Sequence, residues 1–188
     1  MIILAGMVAS CASPKRTGKV NVLSGPRKAE VAETKAIEKK SAAKETITPA
    51  VPMLSMNEPL NIRRSEFIDF AKQYLGVPYL YASSDPSKGF DCSGLLFHVF
   101  KHFNVKSPRS SYSYENIGES IALEDARPGD LILFTTAGDT AKIGHIGIIS
   151  ETKPRIAFLH ASTSKGVIIS NFTGYYIKHF VKVIRVLK

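Results

Sequence analysis

Apolar positions change period along this chain, and the changes mark its elements. Between Asn61 and Gly76, the residues Phe67, Ile68, Ala71, Tyr74 and Leu75 recur at helical spacing, with Ser65 placed to cap the start and Gly76 to stop the helix. From Cys92 the stripe is sharper. Cys92, Leu95, Leu96, Val99, Phe100 and Phe103 fall at i, i+3, i+4, i+7, i+8 and i+11, while His98, Lys101 and His102 lie off that face. Asp91 is a good N-cap, so Cys92 occupies the first turn with its side chain toward the core. After a polar stretch from Lys106 to Ser120, short strands are predicted over 130–134, 143–150, 155–161, 166–170 and 180–186, the first introduced by the turn Arg127-Pro128-Gly129. Helices followed by a run of antiparallel strands predict an α+β fold.

The first 58 residues read differently. Residues 1–10 form a short apolar run ending in small residues, as the apolar core and cleavage site of a secretory signal do. Val8-Ala9-Ser10-Cys11 resembles the bacterial lipobox, in which the cysteine is acylated, although no Lys or Arg precedes the run. A signal peptide whose cysteine is incidental is the alternative. Residues 11–58 are rich in Lys, Ala, Glu, Thr, Val and Pro with almost no aromatics, which predicts a tether too polar to offset its ordering entropy. The expected organisation is a signal peptide at 1–10, a lipid-anchored linker at 11–58 and a catalytic domain at 59–188. No stretch approaches the roughly 20 apolar residues of a membrane span, so a lipid on Cys11 would supply the membrane attachment.

Charge adds a partner class. The chain carries a formal net charge of +9, which suits an acidic surface or polymer. Nine of its 25 basic residues, with five acidic ones, lie between Ala12 and Glu58, so the domain itself is only mildly basic. No basic patch is interleaved with aromatics, and nucleic acid is not an expected partner. The two cysteines, Cys11 and Cys92, are better explained separately than as a disulfide.

A cysteine in the first turn of a helix faces free N–H groups and the positive end of the dipole, which favours thiolate and nucleophilic chemistry. The alternative is a buried core cysteine, since Cys92 also fits the apolar stripe. Histidines bear on that choice. Glu151-Thr152-Lys153-Pro154 has the composition of a hairpin turn, and a turn centred between Thr152 and Lys153 sets His145 directly opposite His160. Both imidazoles would then share the sheet face against which the Cys92 helix packs, giving nucleophile, base and orienting group. His98 and His102 are spaced for a shared metal but lack further ligands, so a solvated helix face is expected and no zinc. His179 has no partner that the sequence argues for.

These residues carry a resemblance. Phe90-Asp91-Cys92-Ser93-Gly94, Arg127-Pro128-Gly129-Asp130-Leu131, Gly144-His145-Ile146-Gly147 and His160 look like the NlpC-type cell-wall cysteine peptidases, as do Pro78-Tyr79 and Pro108-Arg109-Ser110-Ser111. The resemblance spans roughly Ser65 to Lys188. It implies a papain-like α+β fold, hydrolysis of peptide bonds in peptidoglycan stems or cross-links, and no metal or cofactor. It implies Cys92 as nucleophile, His145 as base and His160 as the third residue, with Tyr79, Asp91, Ser93, Arg109 and Ser111 lining the substrate cleft. Tyr79 read blandly is a loop aromatic, and helix capping alone accounts for Asp91 and Ser93. One departure stands out: Ala82-Ser83 occupy places where the family usually carries a glycine pair. An amidase, an acyltransferase or a silent wall-binding lipoprotein would use the same fold. The expected setting is an exported, monomeric lipoprotein, attached to the outer membrane facing the periplasm because Ala12 rather than Asp follows Cys11.

Overall fold

The computed structural model describes residues 54–188; the signal, the lipobox with Cys11 and most of the linker lie outside this range. Helices α1 (Arg64–Lys72) and α2 (Cys92–His102) precede β1 (Glu119–Ile121), β2 (Leu131–Phe134), β3 (His145–Glu151), β4 (Ala157–Ser162), β5 (Gly166–Asn171), a short helix α3 (Tyr175–His179) and β6 (Phe180–Arg185). The six strands form one antiparallel sheet in the order β1-β6-β2-β3-β4-β5. The α+β expectation and its five strands hold to within a few residues at their ends.

Period-2 alternation splits the sheet into two faces. Leu131, Leu133, Ile146, Ile148, Leu159, Ala161, Val167 and Ile184 point to one side and pack with Phe67, Leu95, Leu96, Val99 and Phe100 of α1 and α2. Ile132, Phe134, Ile149, Phe158 and Val183 point to the other, where Phe172, Tyr176 and Phe180 cover them. The helices meet through Phe67 and Phe100, whose ring centroids are 4.9 Å apart. Side chains of this size, fully buried, each stabilise by roughly 1.5–3 kcal/mol, so both layers are strongly held.

A buried carboxylate ties the layers to the C-terminus. Asp130 is fully buried and accepts from Arg64 at 2.8 Å, from Arg185 at 2.7 and 3.1 Å, and from the Arg127 backbone at 2.9 Å. Arg64 also donates to the carbonyls of Pro128, Leu187 and Lys188. This anchorage explains one departure from the sequence expectation. The first helix starts at Arg64 with Arg63 at the N-cap and no side-chain cap, so Ser65 lies exposed inside it. An Arg63–Glu66 ion pair of 2.9 Å supports that first turn. The helix ends at Lys72, before Gly76.

Besides two-residue strand pairings and 3-10 turns in the loops, two further elements were not expected. β1 lies within the stretch read as polar and pairs at the sheet edge with β6, and α3 is a single short turn. Neither has apolar periodicity long enough to show; their tertiary partners hold them.

Candidate active site

Asp91 caps α2 as expected: its carboxylate accepts from the Gly94 N–H at 2.6 Å, which fixes Cys92 at the first helical residue. Cys92 is buried, a free thiol at the floor of a cleft of about 500 Å³. Its Sγ lies 3.9 Å from the Gly144 carbonyl oxygen, so the cysteine sits against the chain immediately before His145. Burial pushes the thiol up to about 11, and the neighbouring Asp91 charge adds to that rise. Backbone N–H groups of Ile146, Ser93 and Cys92 pull the other way and lose. The helix-terminus effect expected to favour thiolate is therefore outweighed by desolvation, and the resting sulfur is protonated.

The two imidazoles meet, but not in the expected register. β3 pairs Ile148 with Leu159 and Ile149 with Phe158, with a bulge before Glu151–Ala157. One step further along, Gly147 falls opposite His160, so the turn is two residues out of the predicted register. A two-residue shift preserves the face. His145 and His160 are diagonal neighbours, and His145 Nε2 lies 2.8 Å from His160 Nδ1 with the rings nearly perpendicular. Gly147 permits this, because a Cβ there would lie 2.9 Å from the Leu159 carbonyl oxygen and 3.2 Å from the His160 Cβ.

The face is also a correction. His145 pairs with Phe134, and both histidines belong to the side covered by Phe158 and Tyr176, opposite α2. The thiol approaches from the α2 side at the very start of β3, where the strand has only begun to separate the faces. Burial holds His145 down to about 4 and His160 lower still, the second also through the charge of the first. Both rings are neutral at neutral pH.

Tyr79, Asp91, Ser93, Arg109 and Ser111 line the cleft beside Cys92. Arg109 grips the Asp91 carboxylate in a fork, Nη1 at 2.9 Å and Nη2 at 2.8 Å, while Ser93 Oγ donates to the Arg109 carbonyl at 2.7 Å. Helix capping thus does not exhaust the roles of Asp91 and Ser93. Burial, with the nearby Cys92 and Asp91 charges, raises the Tyr79 phenol, which keeps its proton to donate. Ser111 Oγ reaches toward the Ile143 carbonyl at 3.5 Å. The Ala82-Ser83 departure is accommodated in two ways. Ala82 adopts a left-handed φ of 58°, and the Ser83 carbonyl crosses α2 where Gly94 has no Cβ, a Cβ there lying 2.0 Å from that oxygen.

Sequence reading missed two groups. Ser170 Oγ lies 2.9 Å and Tyr176 Oη 3.2 Å from His160 Nε2. Ser170 was visible only as a strand residue, and Tyr176 belongs to the unexpected helix α3. His98 is half-buried, whereas His102 is exposed, as expected of a solvated helix face. His98 Nε2 pairs with Tyr74 Oη at 2.8 Å, and His102 stacks on Phe70 with centroids 3.7 Å apart. Among the described residues no group of three or more His, Cys, Asp or Glu side chains gathers to hold a metal. His179 is buried beside Thr135, with Nδ1 3.3 Å from its hydroxyl.

A half-buried His145 paired with a buried His160, next in the chain to the cleft of a helix-capped thiol and on a sheet covered by helices, defines an α+β protein with a thiol–imidazole site. The NlpC/P60 family matches residues 76–185, and the chain belongs to it. It is 38% identical over 126 residues to the murein DD-endopeptidase MepS/murein LD-carboxypeptidase of Escherichia coli strain K12, covering 66% of this chain and 63% of that one. It is also 38% identical over 109 residues to the gamma-DL-glutamyl hydrolase of Bacillus subtilis, covering 57% of this chain and 25% of the relative. The chain thus spans less than two thirds of the length of either relative. An NlpC/P60 family protein of Bacillus cereus shares its fold at a TM-score of 0.62 and 24% identity, over 71% of this chain and 43% of that one. A lipoprotein-like NLP/P60 family structure from Staphylococcus aureus matches at 0.59 and 27%, over 69% and 44%.

Proposed function

We propose that this protein is a cysteine peptidase that hydrolyses peptide bonds in peptidoglycan stems or cross-links. The observation that carries the reading is one short path: the Cys92 thiol against Gly144 on the cleft wall, His145 next in the chain, and the His145–His160 hydrogen bond of 2.8 Å. The name of the murein endopeptidase relative of Escherichia coli agrees with it.

With thiol and imidazole both neutral at rest, the proton leaves sulfur during attack. His145 Nε2 is engaged by His160, so Nδ1 takes the Cys92 proton as the Sγ–C bond forms at the stem-peptide carbonyl. The Cys92 N–H and the Tyr79 hydroxyl stabilise the oxyanion. The tetrahedral species expels its amine, which receives the proton from His145. Water then attacks the thioester as His145 removes its proton, the acid product leaves, and the thiol is restored. His160 orients His145 throughout, and Asp91, Ser93, Arg109 and Ser111 form the polar wall on which the substrate lies.

The same reading makes the protein an exported lipoprotein, acylated at Cys11 and tethered through residues 11–58, with the outer membrane as its attachment. No helix among the described residues is long and apolar enough to cross a membrane.

The test is digestion of purified peptidoglycan by the full chain and by Cys92→Ala, with products identified by mass spectrometry. Loss of one stem or cross-link bond, abolished by the substitution, is expected. Cleavage by Cys92→Ala at the parental rate would falsify the assignment. Failure of both proteins to cleave, with wall binding retained, would favour a binding role, which a non-catalytic NlpC/p60 protein of Mycobacterium tuberculosis, similar at a TM-score of 0.55, is described as having.

A further inference from the structure

His160 cannot by itself decide which nitrogen of His145 carries the proton. A carboxylate in its place would only accept, and so would force the proton onto His145 Nε2 and leave Nδ1 free to act as base. A neutral imidazole presents either a lone pair or an N–H. If His160 Nδ1 carries hydrogen, it donates to His145 Nε2. The base then turns an N–H toward the thiol and is silent. If His160 carries its hydrogen on Nε2, the pair is in the competent state. The choice therefore passes to whatever faces His160 Nε2.

Two hydroxyls face it: Ser170 Oγ from β5 at 2.9 Å and Tyr176 Oη from α3 at 3.2 Å. Both residues are half-buried, so each hydroxyl can direct its own proton outward and turn a lone pair to the ring. Tyr176 is held in place edge-on, against Phe158 at 4.8 Å and against His160 itself at 5.5 Å. We propose that Ser170 and Tyr176 are positioning residues that accept from His160 Nε2–H and so hold the His160–His145 pair in the tautomer that leaves His145 Nδ1 free as base. The proposal rests on the peptidase reading for its catalytic consequence, but not for the tautomer itself. It adds two elements to the site, since β5 and α3 join β3 and β4 in setting the protonation state of one ring.

The experiment reads the tautomer directly, by nitrogen-15 correlation spectra of the imidazoles of the full chain at pH 7, for the parent and for Ser170→Ala combined with Tyr176→Phe. The parent is expected to show His145 with hydrogen on Nε2, and the double variant a mixture or the Nδ1–H form. Turnover should fall by about 10-fold or more with KM unchanged, since the wrong tautomer disables a triad base. Ser170→Thr in the Tyr176→Phe background, which keeps one hydroxyl, should recover most of it. An unchanged His145 tautomer in the double variant overturns the proposal, as does a changed tautomer with turnover untouched. Should the double variant not fold, Ser170→Ala and Tyr176→Phe are read singly by the same spectra. If Cys92→Ala still cleaves, the peptidase reading fails and only the kinetic arm is lost; the spectra still decide the tautomer.

Discussion

At the scale of single residues, desolvation decides the chemistry. A helix N-terminus favours thiolate, but Cys92 is buried beside the Asp91 carboxylate, and its thiol is pushed up to about 11. His145 is held down to about 4 by the same cause. The signs fix the pH behaviour. The base is disabled only when it is protonated, which happens as pH falls toward 4, and the thiol loses its proton only near 11. The pair is therefore neutral in between, and kcat/KM is expected to stay level from about pH 5 to about pH 9, with its acid limb well below the ordinary histidine range. A limb centred near pH 6.5, measured on a soluble stem peptide, would contradict a neutral resting pair.

At the scale of elements, the β3–β4 register is what brings base and orienting residue together. Composition located the hairpin, but β3 and β4 pair two residues out of that register, which sets Gly147 opposite His160. A side chain at that position would meet the Phe158 ring at 2.7 Å and the Leu159 carbonyl oxygen at 2.9 Å. Gly147→Ala is expected to cost about 1–3 kcal/mol of stability through overpacking. By prising the two rings apart it should also lower kcat by roughly 10- to 100-fold. Denaturant unfolding and steady-state kinetics check the two effects separately. If both match the parent, the diagonal packing is not what holds the pair.

At the scale of the molecule, the Asp130 cluster ties α1, β2, β6 and the C-terminal carbonyls into one unit. Its carboxylate is fully buried, and the Arg64 and Arg185 side chains are only 19% and 16% exposed. Removing one partner of such a group leaves uncompensated charge inside, so Asp130→Ala should destabilise the fold by about 3–5 kcal/mol. The cluster lies away from the cleft, so activity per folded molecule should stay near parental. Urea unfolding followed by an active-site titration tests both statements; a variant as stable as the parent would show that the cluster is not a structural tie.

Local order and chemistry are written in the sequence itself. The apolar stripe from Cys92, the Asp91 cap, the strand run and the motif around His145 each depend on neighbours within a few residues, where periodicity and capping act directly. Parity along a strand placed His145 and His160 on a common face whatever the even shift between them. Tertiary structure decided the rest, because those outcomes are set by groups far apart in the chain. Packing of α2 against the sheet buried the thiol and reversed the expected shift in its acidity. Pairing across β3 and β4 chose the register, and packing of α2 on the side of Ile146, Ile148 and Leu159 left the imidazoles on the other face. Docking of β5 and α3 brought Ser170 and Tyr176 to His160, and contact with Tyr74 left His98 half-buried, while His102 stayed exposed where its helical position put it.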